Sequence, residues 1–86
     1  MARKADRMPT VTLYSARDCH LCDNAREELG ALRAELSFEV DEIDITGVPD
    51  LERRYRQWVP VIEVGGEQVS VYRVEPDRLR HKLASS

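Results

Sequence analysis

The chain has 86 residues, 42% of them hydrophobic and 34% charged, with a formal charge of −3 at pH 7. This length allows one small domain with a thin stability margin, and the composition excludes a disordered chain. The charge balance leaves no footprint for nucleic acid, and no apolar run reaches the roughly 18 residues of a membrane span.

Met1 to Pro9 reads as a polar lead-in, expected to be flexible. Its opening stretch, Met1-Ala2-Arg3-Lys4-Ala5-Asp6-Arg7, is charged with no apolar core behind it, so it does not read as a secretory signal. Thr10–Ser15 alternates and is rich in β-formers (Val11, Leu13, Tyr14), which predicts a first strand. From Leu21 the spacing turns helical through Cys22, Ala25, Leu29, Leu32 and Leu36, predicting a helix over 20–36. Gly30 inside it costs about 1 kcal/mol relative to alanine, so a weakening or kink is expected there. Ser37–Ile45 reads as a second strand whose apolar parity slips, with Phe38 and Val40 on one parity and Ile43 and Ile45 on the other. A bulge or strand end near Glu42 would account for the slip.

Thr46-Gly47 breaks the chain, and Pro49 suits the first turn of a short helix with Leu51, Tyr55 and Trp58 on one face. Arg53, Arg54 and Arg56 on that helix read as a solvated face. Val59-Pro60 stops it; Pro60–Val64 is the third strand, Gly65-Gly66 a hairpin turn and Gln68–Arg73 the fourth strand. Glu75-Pro76-Asp77 opens a last helix carrying Leu79 and Leu83, and Ala84-Ser85-Ser86 is a tail. The order β-α-β-α-β-β-α predicts an α/β domain, a four-stranded mixed sheet flanked by three helices.

The chemistry concentrates where the first strand runs into the first helix, at Ser15-Ala16-Arg17-Asp18-Cys19-His20-Leu21-Cys22. Both cysteines stand here at Cys-x-x-Cys spacing, a redox arrangement when the first lies at a helix N-terminus. Cys22 belongs to the apolar stripe and should face inward. Cys19, about one turn earlier, places its sulfur near the unsatisfied N–H groups of the first turn, which favour a thiolate. Cys19 is therefore the expected nucleophile and Cys22 the resolving thiol. A free thiol of pKa about 8.5 is roughly 3% ionised at pH 7, and lowering it to about 6 makes it roughly 90% ionised. Because nucleophilicity falls with basicity, the net gain in attack is only a few-fold; the larger benefit is a better leaving group when Cys22 displaces a bound substrate.

A bridge closing so short a loop constrains the unfolded chain little, which argues against a structural staple. The cytoplasm is the expected compartment, where paired cysteines are more often catalytic or metal-binding than structural. Around the pair, His20 either stabilises a thiolate as a cation or is an exposed helix-start residue. Asp18 is expected to cap the helix by accepting an N–H bond. Arg17 either holds a substrate carboxylate or is solvated. Trp58, Tyr14 and Tyr72 could line a groove around the sulfurs, with core or edge packing the plainer expectation for each, and His81 reads as a surface residue.

Tyr14-Ser15 closing a strand, Cys19-His20-Leu21-Cys22 and Val59-Pro60 before the third strand, in this element order, resemble the thioredoxin-fold superfamily, and most closely a small glutaredoxin-like protein. The resemblance covers residues 10–84 as one domain and implies a thioredoxin-like fold, with Pro60 in a cis peptide beside the active-site cysteines. It implies a thiol–disulfide oxidoreductase acting in electron transport and cell redox homeostasis. Cys19 and Cys22 would be catalytic, with Val59, Pro60, Arg17 and His20 on the substrate side. The backbone groups of Val59 would then be free to pair with a substrate strand.

The expected partners are a disulfide-containing protein or small-thiol substrate, and a reductase or small-thiol reductant such as glutathione. No permanently bound cofactor, no nucleic acid and no membrane is expected, and the chain is expected to be a monomer. The chain departs from glutaredoxins in carrying His20-Leu21 between the cysteines. It also has Ser70-Val71-Tyr72-Arg73-Val74 where they carry a Gly-Gly that grips the glutathione glutamyl end, so another small thiol or a protein dithiol stays open. Two other classes stay open as well: a metal or iron–sulfur cluster protein using the same cysteines, and a redox-inactive binding module. For metal, Cys19, Cys22 and His20 cannot easily close a four-coordinate zinc site within so short a span.

Overall fold

The structure, a computed structural model, describes residues 9–85. Of the lead-in expected over residues 1–9, residues 1–8 lie outside the described residues, as does the final residue of the expected tail. Seven elements follow the predicted order: β1 (Thr10–Ser15), α1 (His20–Arg33), β2 (Glu39–Asp44), α2 (Pro49–Tyr55), β3 (Val61–Val64), β4 (Glu67–Val71) and α3 (Pro76–Ser85). The strands form one mixed sheet in the order β2-β1-β3-β4. β1 is parallel to β2 and antiparallel to β3, and β4 is antiparallel to β3.

The sheet buries both faces. On one, Val11, Leu13, Ile62, Val64 and Val69 meet Ala25, Leu29 and Leu32 of α1 and Leu79 of α3, with Phe38 and Val74 closing the layer. On the other, Tyr55 and Leu51 of α2 cover Tyr14, Val61, Val71 and Ile45. No helix among the described residues is long and apolar enough to cross a membrane.

This two-faced core corrects the reading of β2. The strand pairs with β1 in unbroken register from Thr10↔Glu39 to Ser15↔Asp44, with no bulge near Glu42. Its parity slips because its start and its end serve opposite faces. Phe38 and Val40 pack under α1, whereas Ile45 packs under α2. The register shift lies instead between Ile62 and Glu63 of β3, where β4 carries the extra residue Val69; this lets the successive residues Val69 and Ser70 both be buried.

Helix α1 passes through Gly30 without a break and ends at Arg33, one turn short of the expected end at Leu36. The Arg33 Nε donates to the Phe38 carbonyl at 3.1 Å, and Leu36 N–H bonds back to Leu32 O at 2.7 Å, folding the last turn toward β2. Gly65 and Gly66 form the β3–β4 turn with φ of 61° and 84°, the left-handed pair that a tight hairpin needs. β4 stops at Val71, because Tyr72 takes φ 74°. Ala84 and Ser85 belong to α3 and are not tail; the Ser85 hydroxyl donates to the His81 carbonyl.

Candidate active site

The sheet register brings the marked residues to one end. Tyr14 faces Val61 across β1 and β3, so Ser15 and the turn into α1 lie beside Pro60. Val71 faces Val61 across β3 and β4, which brings the end of β4 to the same level. The C-terminal ends of β1, β2 and β4 and the start of β3 therefore share the edge that carries the cysteines.

Cys19 is the N-cap of α1, with extended backbone (φ −114°, ψ 105°), and its sulfur accepts the Cys22 backbone N–H at 3.1 Å. Its carbonyl accepts the Asp23 N–H, also at 3.1 Å. Cys19 and Cys22 are joined in a disulfide with Cα atoms 5.2 Å apart. Cys22 is fully buried and Cys19 partly so. His20 and Leu21 between them point outward and are exposed. The cap thus falls on Cys19, not on Asp18 as expected. Asp18 is exposed at φ 57° and serves as the left-handed corner that turns β1 into the helix.

Arg17 is exposed, and its backbone N–H donates to the Thr46 hydroxyl at 2.9 Å, tying the cysteine loop to the end of β2. The Asp44 carboxyl is held below its usual range, first by the Thr46 N–H and hydroxyl, with a smaller contribution from the Arg17 charge.

Val59–Pro60 is a cis peptide, as the resemblance implied. The Tyr55 carbonyl accepts from both Trp58 N–H (2.8 Å) and Val59 N–H (3.0 Å), which ends α2 and swings Trp58 out of the apolar face assigned to it. This corrects two expectations. Trp58 is 47% exposed rather than packed under α2, and the Val59 N–H is engaged, while its carbonyl accepts no hydrogen bond among the described residues. Tyr14 does pack, stacked on Tyr55 with ring centroids 4.1 Å apart. Tyr72, like Trp58, is exposed.

A charged network beneath the site went unread in the sequence. The Glu42 carboxylate accepts from Arg26 Nε (2.9 Å) and Nη2 (2.6 Å) and from the Ser15 hydroxyl (2.8 Å); Arg26 also donates to Asp23 at 2.8 Å. Arg26 stands one turn beyond Cys22 and Ser15 ends β1, so this network fastens the first turns of α1 to β1 and β2. Hydrogen bonds from Arg26 hold the Glu42 carboxyl below its ordinary value, with burial opposing and Ser15 adding. The only sequence signal was Glu42 itself, a carboxylate at the parity of buried Phe38 and partly buried Val40.

The remaining polar features lie elsewhere. Arg53 pairs with Asp50, and the Arg54 guanidinium lies over the Tyr55 ring at 5.3 Å, a solvated face as read. A cleft of about 350 Å³ between β4 and α3 is lined by Gln68, Val69, Asp77, Arg78, His81 and Lys82. Exchange chemistry needs an accessible sulfur, not an enclosure, so this cleft is not the site. Among the described residues no group of three His, Cys, Asp or Glu side chains gathers to hold a metal ion.

Comparison with known proteins decides the family. The model of the glutaredoxin-like domain (DUF836) matches residues 10–84. The chain belongs to this glutaredoxin-like family. A protein of Mycobacterium tuberculosis is 32% identical over 83 residues, covering 91% of this chain and 86% of its own. Among solved structures, a structural-genomics target from X. campestris is 35% identical with TM-score 0.69, covering 88% and 97% of the two chains. A protein of Nitrosomonas europaea is 26% identical with TM-score 0.79, covering 88% and 92%. Chloroplastic thioredoxin z, 18% identical with TM-score 0.70 over 95% of this chain and 80% of its own, shares the fold. This glutaredoxin-like domain thus combines a thioredoxin-like fold with a Cys19-x-x-Cys22 pair at bonding distance, an arrangement that supports redox function.

Proposed function

We propose that the protein is a thiol–disulfide oxidoreductase that works through the Cys19–Cys22 dithiol. The observation that carries this reading is the placement of the pair: the Cys19 sulfur at the N-cap of α1, accepting the Cys22 N–H, with Cys22 buried behind it. In the reduced protein the same N–H and the helix N-terminus favour a Cys19 thiolate. That thiolate attacks one sulfur of a substrate disulfide, and the other leaves as a thiolate that takes up a proton. Cys22 then loses its proton and attacks the Cys19 sulfur, releasing the second substrate thiol and closing the Cys19–Cys22 bridge. Two electrons pass from protein to substrate; of the two protons that the product thiols take up, one comes from Cys22 and the other from solvent.

Val59 supports docking through its carbonyl, which accepts one main-chain N–H of the substrate. His20 and Arg17, both exposed and next to Cys19 or two residues before it, are assigned to the substrate side. The substrate is a protein or small-molecule disulfide, and a small thiol such as glutathione or a dithiol reductase restores the reduced form. A reducing compartment such as the cytoplasm, and a monomeric chain, fit this cycle. In exchange assays, Cys19→Ser is expected to abolish turnover, whereas Cys22→Ser accumulates a mixed disulfide visible as added mass on Cys19. Full activity in both variants would overturn the dithiol mechanism.

A further inference from the structure

Trp58 and Tyr72 are the exposed large aromatic side chains among the described residues, at 47% and 45%, and they lie against each other with ring centroids 6.0 Å apart. Both are held there by the backbone around Pro60. Trp58 is turned out of α2 by the bonds to the Tyr55 carbonyl, and Tyr72 donates its N–H to the Pro60 carbonyl at 2.8 Å. Tyr72 adopts φ 74°, a region that glycine fills freely and that a tyrosine fills at a backbone cost. An exposed ring returns little of that cost through burial. The two rings are thus kept in solvent against local preference, next to Val59, whose carbonyl accepts no hydrogen bond among the described residues.

We infer that the Trp58–Tyr72 pair is the specificity-determining subsite of the exchange reaction. It receives an aromatic or aliphatic side chain that neighbours the disulfide cysteine of an extended polypeptide substrate. This inference rests on the dithiol reading above. Three features define the occupant. Val59 offers an acceptor and no donor, which suits a single main-chain N–H of an extended segment. Trp58 directly precedes Val59 and Tyr72 is bonded to Pro60, so a segment held at Val59 carries its adjacent side chain onto the rings. The rings present flat apolar surface, which suits an apolar or aromatic side chain. Glutathione places a glycine and a γ-linked glutamate beside its cysteine, so its disulfide gains nothing from the pair.

The test is a single-turnover measurement with the fully reduced protein and synthetic peptide disulfides whose cysteine is flanked by phenylalanine or by serine, with glutathione disulfide in parallel. In each reaction the Cys19 and Cys22 thiols are oxidised to one protein disulfide, and the added disulfide is reduced to two thiols, which are counted. The wild-type protein is expected to react about five- to tenfold faster with the phenylalanine peptide than with the serine peptide or glutathione disulfide. In Trp58→Ala and Tyr72→Ala the phenylalanine-to-serine rate ratio falls to about one, whereas Trp58→Phe and Tyr72→Phe retain it; the ratio cancels any general effect on the sulfurs. Equal wild-type rates with the two peptides, glutathione disulfide reacting as fast as the phenylalanine peptide, or a ratio unchanged by both alanine substitutions would overturn the subsite while leaving the dithiol reading standing. Failure to consume any of the three disulfides would overturn both.

Discussion

Asp18 shows how much one backbone angle decides. Its φ of 57° turns β1 into α1 immediately before Cys19. Short polar residues tolerate this region, and β-branched ones do not. Asp18→Val is expected to cost about 1–2 kcal/mol in urea unfolding, with Asp18→Asn near neutral. Asp was readable as a helix-start residue, but the choice of cap was not, because a cysteine sulfur took the N–H instead. Tyr55 carries a second residue-scale prediction. Burial first, then contacts with Tyr14 and Glu63, pushes its phenol up to about 12 from an ordinary 10.0. With the folded value above the unfolded one, the neutral phenol adds stability fully below about pH 10, and this is lost as pH rises through about 12. Near-ultraviolet tyrosinate absorbance should show one phenol titrating near 12, absent in Tyr55→Phe.

Among the elements, α1 bears the cysteines and is held from both ends. Gly30 lies within it, exposed, with no atom within 4 Å of where a Cβ would stand. Gly30→Ala should therefore stabilise by about 0.5–1 kcal/mol, raising the melting temperature by roughly 3–6 °C. At the other end, Glu42 fixes α1 to the sheet through Arg26 and Ser15. Its carboxyl is depressed from 4.5 in the folded state, so the unfolded chain takes up the proton first as pH falls. The stability from this network is complete above about pH 4.5 and drains away below it. Glu42→Gln should be less stable than wild type at neutral pH, with the gap closing in denaturant titrations carried to about pH 3. The network escaped the sequence because its partners are 16 and 27 residues apart, and only the β1–β2 register brings them together. The element order was legible because alternation, helical spacing and the Gly-Gly turn are local signals. The exit of α2 was not, since whether Trp58 continues the helix depends on two N–H groups competing for the Tyr55 carbonyl.

For the whole molecule, the core is two thin layers on one small sheet, and little margin stands behind it. Leu29, 1% exposed on the inner face of α1, is expected to cost about 2–5 kcal/mol as Leu29→Ala, enough to bring a domain of this size close to unfolding at ordinary temperature. The same economy places every group of the candidate site at one end of the sheet. The cysteine pair was legible from its spacing and the element order, whereas the exposed Trp58–Tyr72 pair was not, because a stripe of aromatic residues ordinarily marks a core. The measurement that bears most directly on the account is the reduction potential of the Cys19–Cys22 pair. The purified protein is equilibrated in thiol/disulfide buffers, its free thiols are alkylated, and the products are weighed. The account predicts a single two-electron couple within about −120 to −300 mV, the range of exchange-active dithiols. A pair that never bridges in any buffer, or thiols blocked from alkylation until a chelator removes a metal, would contradict it.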